Sequence, residues 1–415
     1  MYSNDQYVMN TASAQRSIYN EHTDGASSQF ETRILSKNLI SGALFFKDDT
    51  HREYGVSPVR SPFPFIEPQL LDRDQQTSIG LQDVLTFTSR VRATVGFSAD
   101  HFNGLQGEFY NSAQTGFLPF VCLSSPTNTS VAGCTLHAWN YNPQAAVSAQ
   151  IGKSGSLFFT VANRGRFPML KDIYSAGLGS ALPNPNLKAE HSQNWNIGYS
   201  TLVFGKTLFQ FELFRSNLHD AIESVAVTDP GNPNANLTPP AGALCPSSTN
   251  GFCSQMVNIG NEVHEGVEFK VRSAPTPRLT IDAGYSYLNR TIAYDFTNNP
   301  TVSQVRTSII VLPPLPRNKL TGTATVRAIH NTLGIFSVRY EGGLTLQDTT
   351  YAATSPLSHP YGEALATVDL GGVVPIYKQA TIQIGVRNLL DRNYFYVAGF
   401  PEAGRNWFLN MRYQF

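Results

Sequence analysis

Four places in this chain carry residue types that do chemistry elsewhere. Gly152-Lys153-Ser154 ends like a loop that cradles phosphate on its backbone N–H groups, but the glycine needed five positions earlier is Val147. It reads as a turn. Gly177-Leu178-Gly179 could open a dinucleotide fingerprint, yet Leu182 stands where the third glycine belongs, and no βαβ pattern surrounds it. His219 beside Asp220 suggests acid–base work, but neighbours in a strand point to opposite faces. The four cysteines fall into two close pairs, Cys122 with Cys134 and Cys245 with Cys253. There is no CxxC and the nine histidines are scattered, so the spacing does not read as a zinc site. Close cysteine pairs within loops point to two local disulfides and an oxidising compartment. No catalytic group, cofactor site or metal site emerges, and the chain does not read as an enzyme.

What these residues lack is a scaffold that brings them together, and the elements along the chain explain why. The dominant pattern is alternation of period two. Trp407, Leu409, Met411, Tyr413 and Phe415 lie on one face of the last segment, opposite Asn406, Asn410, Arg412 and Gln414, with Phe408 as the apolar exception. Leu279, Ile281, Ala283, Tyr285 and Tyr287 oppose Thr280, Asp282, Gly284 and Ser286 in the same way. Helix-period stretches are absent. Several alternating runs continue for a dozen residues or more, whereas strands of soluble proteins run about 5–6 and membrane-crossing strands need about 9–11. Short turns (at Ser89-Arg90, Gly152 to Gly155, Gly205-Lys206, Ala274 to Pro277, Ile329 to Asn331 and Pro375 to Lys378) alternate with long loops near 55–73, 103–140, 166–189, 225–254, 293–314 and 349–361. That alternation, and about sixteen strands counted back from the C-terminus, fit an outer-membrane barrel with long loops outside.

Composition agrees. Charged residues make up 14% of the chain, against about 25% in soluble domains. The 30 basic residues balance the 30 acidic ones, so no basic surface for nucleic acid is indicated. No apolar run is long enough for a helical span. Met1 to Asn20 is polar and does not read as a signal peptide.

Three stretches carry a family resemblance. Arg166-Phe167-Pro168-Met169-Leu170-Lys171-Asp172-Ile173-Tyr174 precedes Asn184-Pro185-Asn186-Leu187-Lys188-Ala189-Glu190. Asn258-Ile259-Gly260-Asn261 precedes Gly266-Val267-Glu268. Val386-Arg387-Asn388-Leu389-Leu390-Asp391-Arg392-Asn393-Tyr394 precedes Pro401-Glu402-Ala403-Gly404-Arg405. In this order they resemble the C-terminal barrel of TonB-dependent outer-membrane receptors. The likeness runs from about Gln29 to Phe415, with 1–28 read as a partial strand and loop. It implies an all-β, antiparallel transmembrane β-barrel, here about 16 strands of a larger one. Asn184, Pro185, Asn186, Leu187, Glu190, Asn388, Leu389, Asp391, Gly404 and Arg405 are the motif positions. Tyr413 and Phe415 look like the terminal signal read by the barrel assembly machinery.

The resemblance also implies partners: outer-membrane lipid, the TonB complex, and a small-molecule or metal-chelate substrate such as a ferric siderophore. Members carry a plug, a TonB box and 22 strands, so the expectation is a truncated, plug-less form whose TonB contact lies in a missing N-terminal region. No histidine lies between Arg166 and Asn184, which speaks against haem as the substrate. A passive porin and a secreted β-propeller are the alternatives. The propeller predicts a repeat of about 40–50 residues, and none is visible.

Overall fold

The computed structural model describes residues 2–3, 6–8, 16–57, 65–66, 69–110, 119–123, 136–174, 181–182, 184, 186–228, 252–294, 310–311, 315–343, 364–377, 379–397 and 400–414. One sheet dominates, with nineteen strand segments. Its long strands begin with Arg16–Thr32, Asn38–Ser57, Leu70–Thr86, Val91–Tyr110 and His137–Ile151. Gly155–Arg166, Glu190–Val203, Thr207–His219, Gly260–Thr276 and Leu279–Tyr294 follow. Asn318–Arg327, Leu333–Gly342, Leu365–Tyr377, Ala380–Arg387 and Asn406–Tyr413 complete the series. Each pairs antiparallel with the strand before it, from Arg16↔Val56 to Ala380↔Tyr413. Tyr2–Ser3 and Gln6–Val8 both pair with Arg16–Thr32 in one continuous register, and so occupy a sixteenth position. One continuous meander is incompatible with separate propeller blades. Among the described residues, Asn406–Tyr413 pairs on one side only.

Strand length has a physical source. Counting from the short-turn end, about eleven residues of a tilted strand cross the bilayer; here Asn38–Ser57 has 20 and Gly260–Thr276 has 17. The surplus lies at the long-loop end. Strands therefore run into stretches that read as loops in the sequence: Val91–Tyr110 pairs there with Pro119–Leu123, and Ile222–Thr228 pairs with Phe252–Asn258. The short connections are tight, and at Gly205 φ is +66°, a conformation that a β-carbon would strain.

The apolar face points outward. Leu157, Tyr199, Phe211, Phe269, Tyr285, Leu320 and Tyr340 are successive cross-strand partners. All are 37–42% exposed, where a soluble sheet would bury them. The row starts three residues from the turn end of its first strand and finishes three from the loop end of its last, so the strands are tilted, as barrel geometry requires. The opposite face carries Gln82, Gln144 and Arg164 in a hydrogen-bonded chain (Arg164 Nη2 donating to Gln144 at 2.6 Å, Gln144 to Gln82 at 3.2 Å). Aromatic rings on that face lie over cross-strand glycines: Phe158 over Gly198, Phe214 over Gly266, and Phe408 over Gly385. Phe408, the exception to the alternation, thus covers backbone that would otherwise be bare, and the Arg387 guanidinium sits 5.1 Å above its ring.

Candidate functional site at the long-loop end

The motif stretches converge at this end. Leu170–Tyr174 forms one helical turn, too short to show a helical period in the sequence. Its Leu170, Ile173 and Tyr174 pack with Phe102, Leu187 and Ile222 into a small core. Tyr174 lies against Gly107, occupying the space that a β-carbon there would need.

Polar side chains then tie the segments together. The Ile173 carbonyl accepts from the Asn184 N–H at 2.7 Å, and the Asn184 amide donates to the Met256 carbonyl at 2.8 Å. The same side chain accepts from the Asn186 N–H at 3.2 Å. Asn258 clamps Lys188 from both sides, accepting from its N–H at 2.9 Å and donating to its carbonyl at 3.1 Å, and also reaches the Asp220 carbonyl at 2.7 Å. Glu190, nearly buried, accepts from the Ile222 N–H at 2.6 Å and from Arg166 Nε at 2.5 Å. Segments from two connections are thereby locked to the strand ends that carry them. Above them stands a small sheet in which Phe252–Asn258 pairs with Ile222–Thr228 and with Ala181–Leu182, while Ile310–Val311 adds to the other edge.

The third motif makes a second knot. Asn388 and Asp391 both have left-handed backbone (φ +50° and +53°). The Asn388 side chain accepts from Arg392 N–H at 2.9 Å and donates to its carbonyl at 2.8 Å, while Asp391 accepts from Arg405 N–H at 2.8 Å. The Leu389 N–H bonds to the Val368 carbonyl, and a β-carbon on Gly404 would press on Asp391.

Around these knots the inner wall is charged. Glu223 and Glu262 share Arg290 (2.9 and 2.6 Å), and His264 bonds to Glu262 at 2.8 Å. Burial pushes Glu223 up, against the pull of Arg290; for Glu262, His264 and Arg290 outweigh burial and hold it down. Elsewhere the Tyr396 hydroxyl accepts from Arg339 and donates to Glu341 at 3.2 Å. A third group faces inward from neighbouring strands, with His51 opposite Asp72 and Asp49 opposite Asp74. Burial pushes Asp72 up to about 8 and Asp74 up to about 7; Asp49 adds to the effect on Asp74. Burial pulls His51 down, but Glu53, Asp72 and Glu21 outweigh it and hold it above its ordinary value. These groups were missed in the sequence, although His51 with Glu53 and Asp72 with Asp74 have the spacing that puts both on one strand face.

The arrangement is a braced mouth over a polar wall. Among the described residues no set of three or more His, Cys, Asp or Glu side chains is placed to hold a metal ion. Residues 2–389 match the family described as TonB dependent receptor-like, beta-barrel. The chain belongs to this family of TonB-dependent receptor barrels. No curated protein sequence matches it. The copper transporter OprC is similar in structure, with a TM-score of 0.70 at 13% identity over 98% of this chain and 58% of that one. The ferric-catecholate import receptor Fiu from E. coli K12 gives 0.66 at 17%, over 97% and 55%. The ferric yersiniabactin uptake receptor FyuA from Yersinia pestis gives 0.64 at 12%, over 100% and 57%. At such identities the likeness is one of fold. The chain spans 55–58% of the length of these three proteins.

In this TonB-dependent receptor barrel, Asn184, Asn186, Leu187 and Glu190 come together in the first knot, and Asn388, Leu389, Asp391, Gly404 and Arg405 in the second. The two knots sit on different strands. Pro185, Phe415, Cys134 and Cys245 lie outside the described residues, while Cys122 and Cys253 stand on the strands Pro119–Leu123 and Phe252–Asn258. Tyr413 is outward and 51% exposed on the last strand.

Proposed function

We propose that this barrel serves an outer-membrane receptor for active, TonB-coupled uptake of a scarce nutrient such as a ferric siderophore, and that it has no enzymatic role. The observation that carries this reading is the family match over residues 2–389, on a sheet whose apolar face points outward. Lipid takes the outward side chains, and the hydrogen bonds between neighbouring strands satisfy the backbone in the bilayer. Substrate meets the braced mouth, which holds its shape before binding and so loses little entropy on capture. The barrel assembly machinery reads the terminal strand at Tyr413 and Phe415. Coupling to TonB is the work of a plug region, which these strands do not supply.

The test is uptake in the native host. Deleting the gene should abolish energy-dependent accumulation of one iron chelate from a panel, and removing TonB should do the same. Accumulation indifferent to both deletions, or an ohmic conductance from the purified protein in planar bilayers, would replace the receptor by a passive pore.

A further inference from the structure

We propose that His191 and His219 form a two-histidine site for a divalent first-row transition ion on the outer face of the mouth. The two residues are direct cross-strand partners and form the outermost pair at the loop end, His191 being the second residue of Glu190–Val203 and His219 the final residue of Thr207–His219. Directly opposed residues put their side chains on one face with β-carbons about 4.5–5.5 Å apart. Imidazole nitrogens bind such ions at about 2.0–2.1 Å, so both rings can reach one ion, with water filling the other positions. The alternation fixes which face this is. Both histidines share parity with the outward Trp195, Ile197 and Tyr199, and with Phe211 and Leu213, and both are exposed. Each stands beyond the stretch of about eleven residues that crosses the bilayer, so the site is wet.

The neighbours across the sheet favour metal over a bland exposed pair. On the far side of His219 stands Asn261, whose amide oxygen lies 2.9 Å from His219 Nδ1. An amide oxygen only accepts, so this contact selects the tautomer with the proton on Nδ1 and the lone pair on Nε2. Fixing the tautomer through the other ring nitrogen is how proteins prepare a histidine ligand. On the far side of His191 the facing residue is Gly165, and the space its β-carbon would take is filled by the Asn140 side chain. The nearest outward cation towards the bilayer, Arg215, is already engaged by Glu265 at 3.2 Å and by Asn217 at 3.0 Å. No uncompensated positive charge on that side opposes an incoming ion. Imidazole donors suit copper, nickel and zinc, and copper(II) binds most tightly in that series. His219 therefore acts with a partner 28 residues away, and its sequence neighbour Asp220 has no part in the site.

The experiment titrates copper(II) into the full chain, folded in detergent, at neutral pH. The expected result is one ion whose electron paramagnetic resonance spectrum shows two nitrogen ligands. His191→Ala and His219→Ala should each remove that signal. Asn261→Ala keeps both histidines but frees the tautomer, and should weaken binding about tenfold. Zinc should raise the unfolding temperature of the parent and leave that of the double variant unchanged, because the ion links adjacent strands. A copper site that persists with unchanged affinity in the double variant, or a signal with one nitrogen, overturns the proposal. Binding is read without transport, so this outcome is independent of the uptake experiment.

Discussion

Replacing Glu190 with alanine removes one carboxylate that holds two segments of the mouth. Its first oxygen accepts from the Ile222 N–H at 2.6 Å, and Ile222 is only 5% exposed. Losing the acceptor strands that N–H, at about 1–3 kcal/mol. Its second oxygen meets Arg166, whose side chain is 50% exposed, so that ion pair adds under about 1 kcal/mol. Together the change should destabilise the local structure by about 2–3 kcal/mol. Local opening then becomes about 30 to 150 times more frequent, at a tenfold change per 1.4 kcal/mol. Hydrogen exchange followed by mass spectrometry on the folded protein should show this in peptides covering 221–228 and 255–262, with Asn406–Tyr413 unaffected. Glu190→Gln keeps an acceptor for Ile222 and should restore most of the protection. Unchanged exchange at 221–228, or equal loss of protection in the last strand, would refute the idea of a locally braced mouth.

The raised Asp72 and Asp74 predict a pH dependence. From about pH 4 to about pH 8 the open chain has shed protons that the folded carboxyls keep, so the rim should lose stability as pH rises and level off above that window. The raised His51 works in the same direction, its contribution being lost as pH rises through its folded pKa. Exchange across 70–76, corrected for its intrinsic pH dependence, should show the loss, and Asp74→Asn should reduce it; a flat or rising profile contradicts it. Leu213→Arg puts a charge on the lipid face and should cost about 2–4 kcal/mol in vesicles, whereas Gln210→Arg on the inner wall should cost far less; equal costs would mean that the faces are reversed. Cys122 with Cys134 and Cys245 with Cys253 should be found as two local disulfides, each stabilising by about 2–3 kcal/mol, and free thiols in non-reducing peptide maps would exclude them.

The strand faces were legible because lipid and lumen impose period two on every crossing segment, as in Leu279 to Tyr287. Strand ends were not. Beyond the bilayer nothing demands an apolar outer face, so Val91–Tyr110 and Phe252–Asn258 continue through stretches that read as loops. Phe408 broke the pattern because its role depends on Gly385, a glycine on the neighbouring strand. The motif residues could be picked out as a set, but their work was invisible, since Asn258 acts on Lys188 and Asn184 on Met256, each about 70 residues away. Glu190 likewise shows its purpose only once Ile222 is beside it.

The central claim is that the long-loop end of an outer-membrane barrel forms a mouth on the cell surface. Single cysteines placed at Lys188 and Arg392, at the long-loop end, and at Lys153 and Lys206, in short turns, test it most directly with a membrane-impermeant maleimide. Intact cells should label at Lys188 and Arg392 only, and lysed cells at all four positions. Labelling of Lys153 and Lys206 on intact cells, with Lys188 and Arg392 protected, would turn the barrel over and contradict the account.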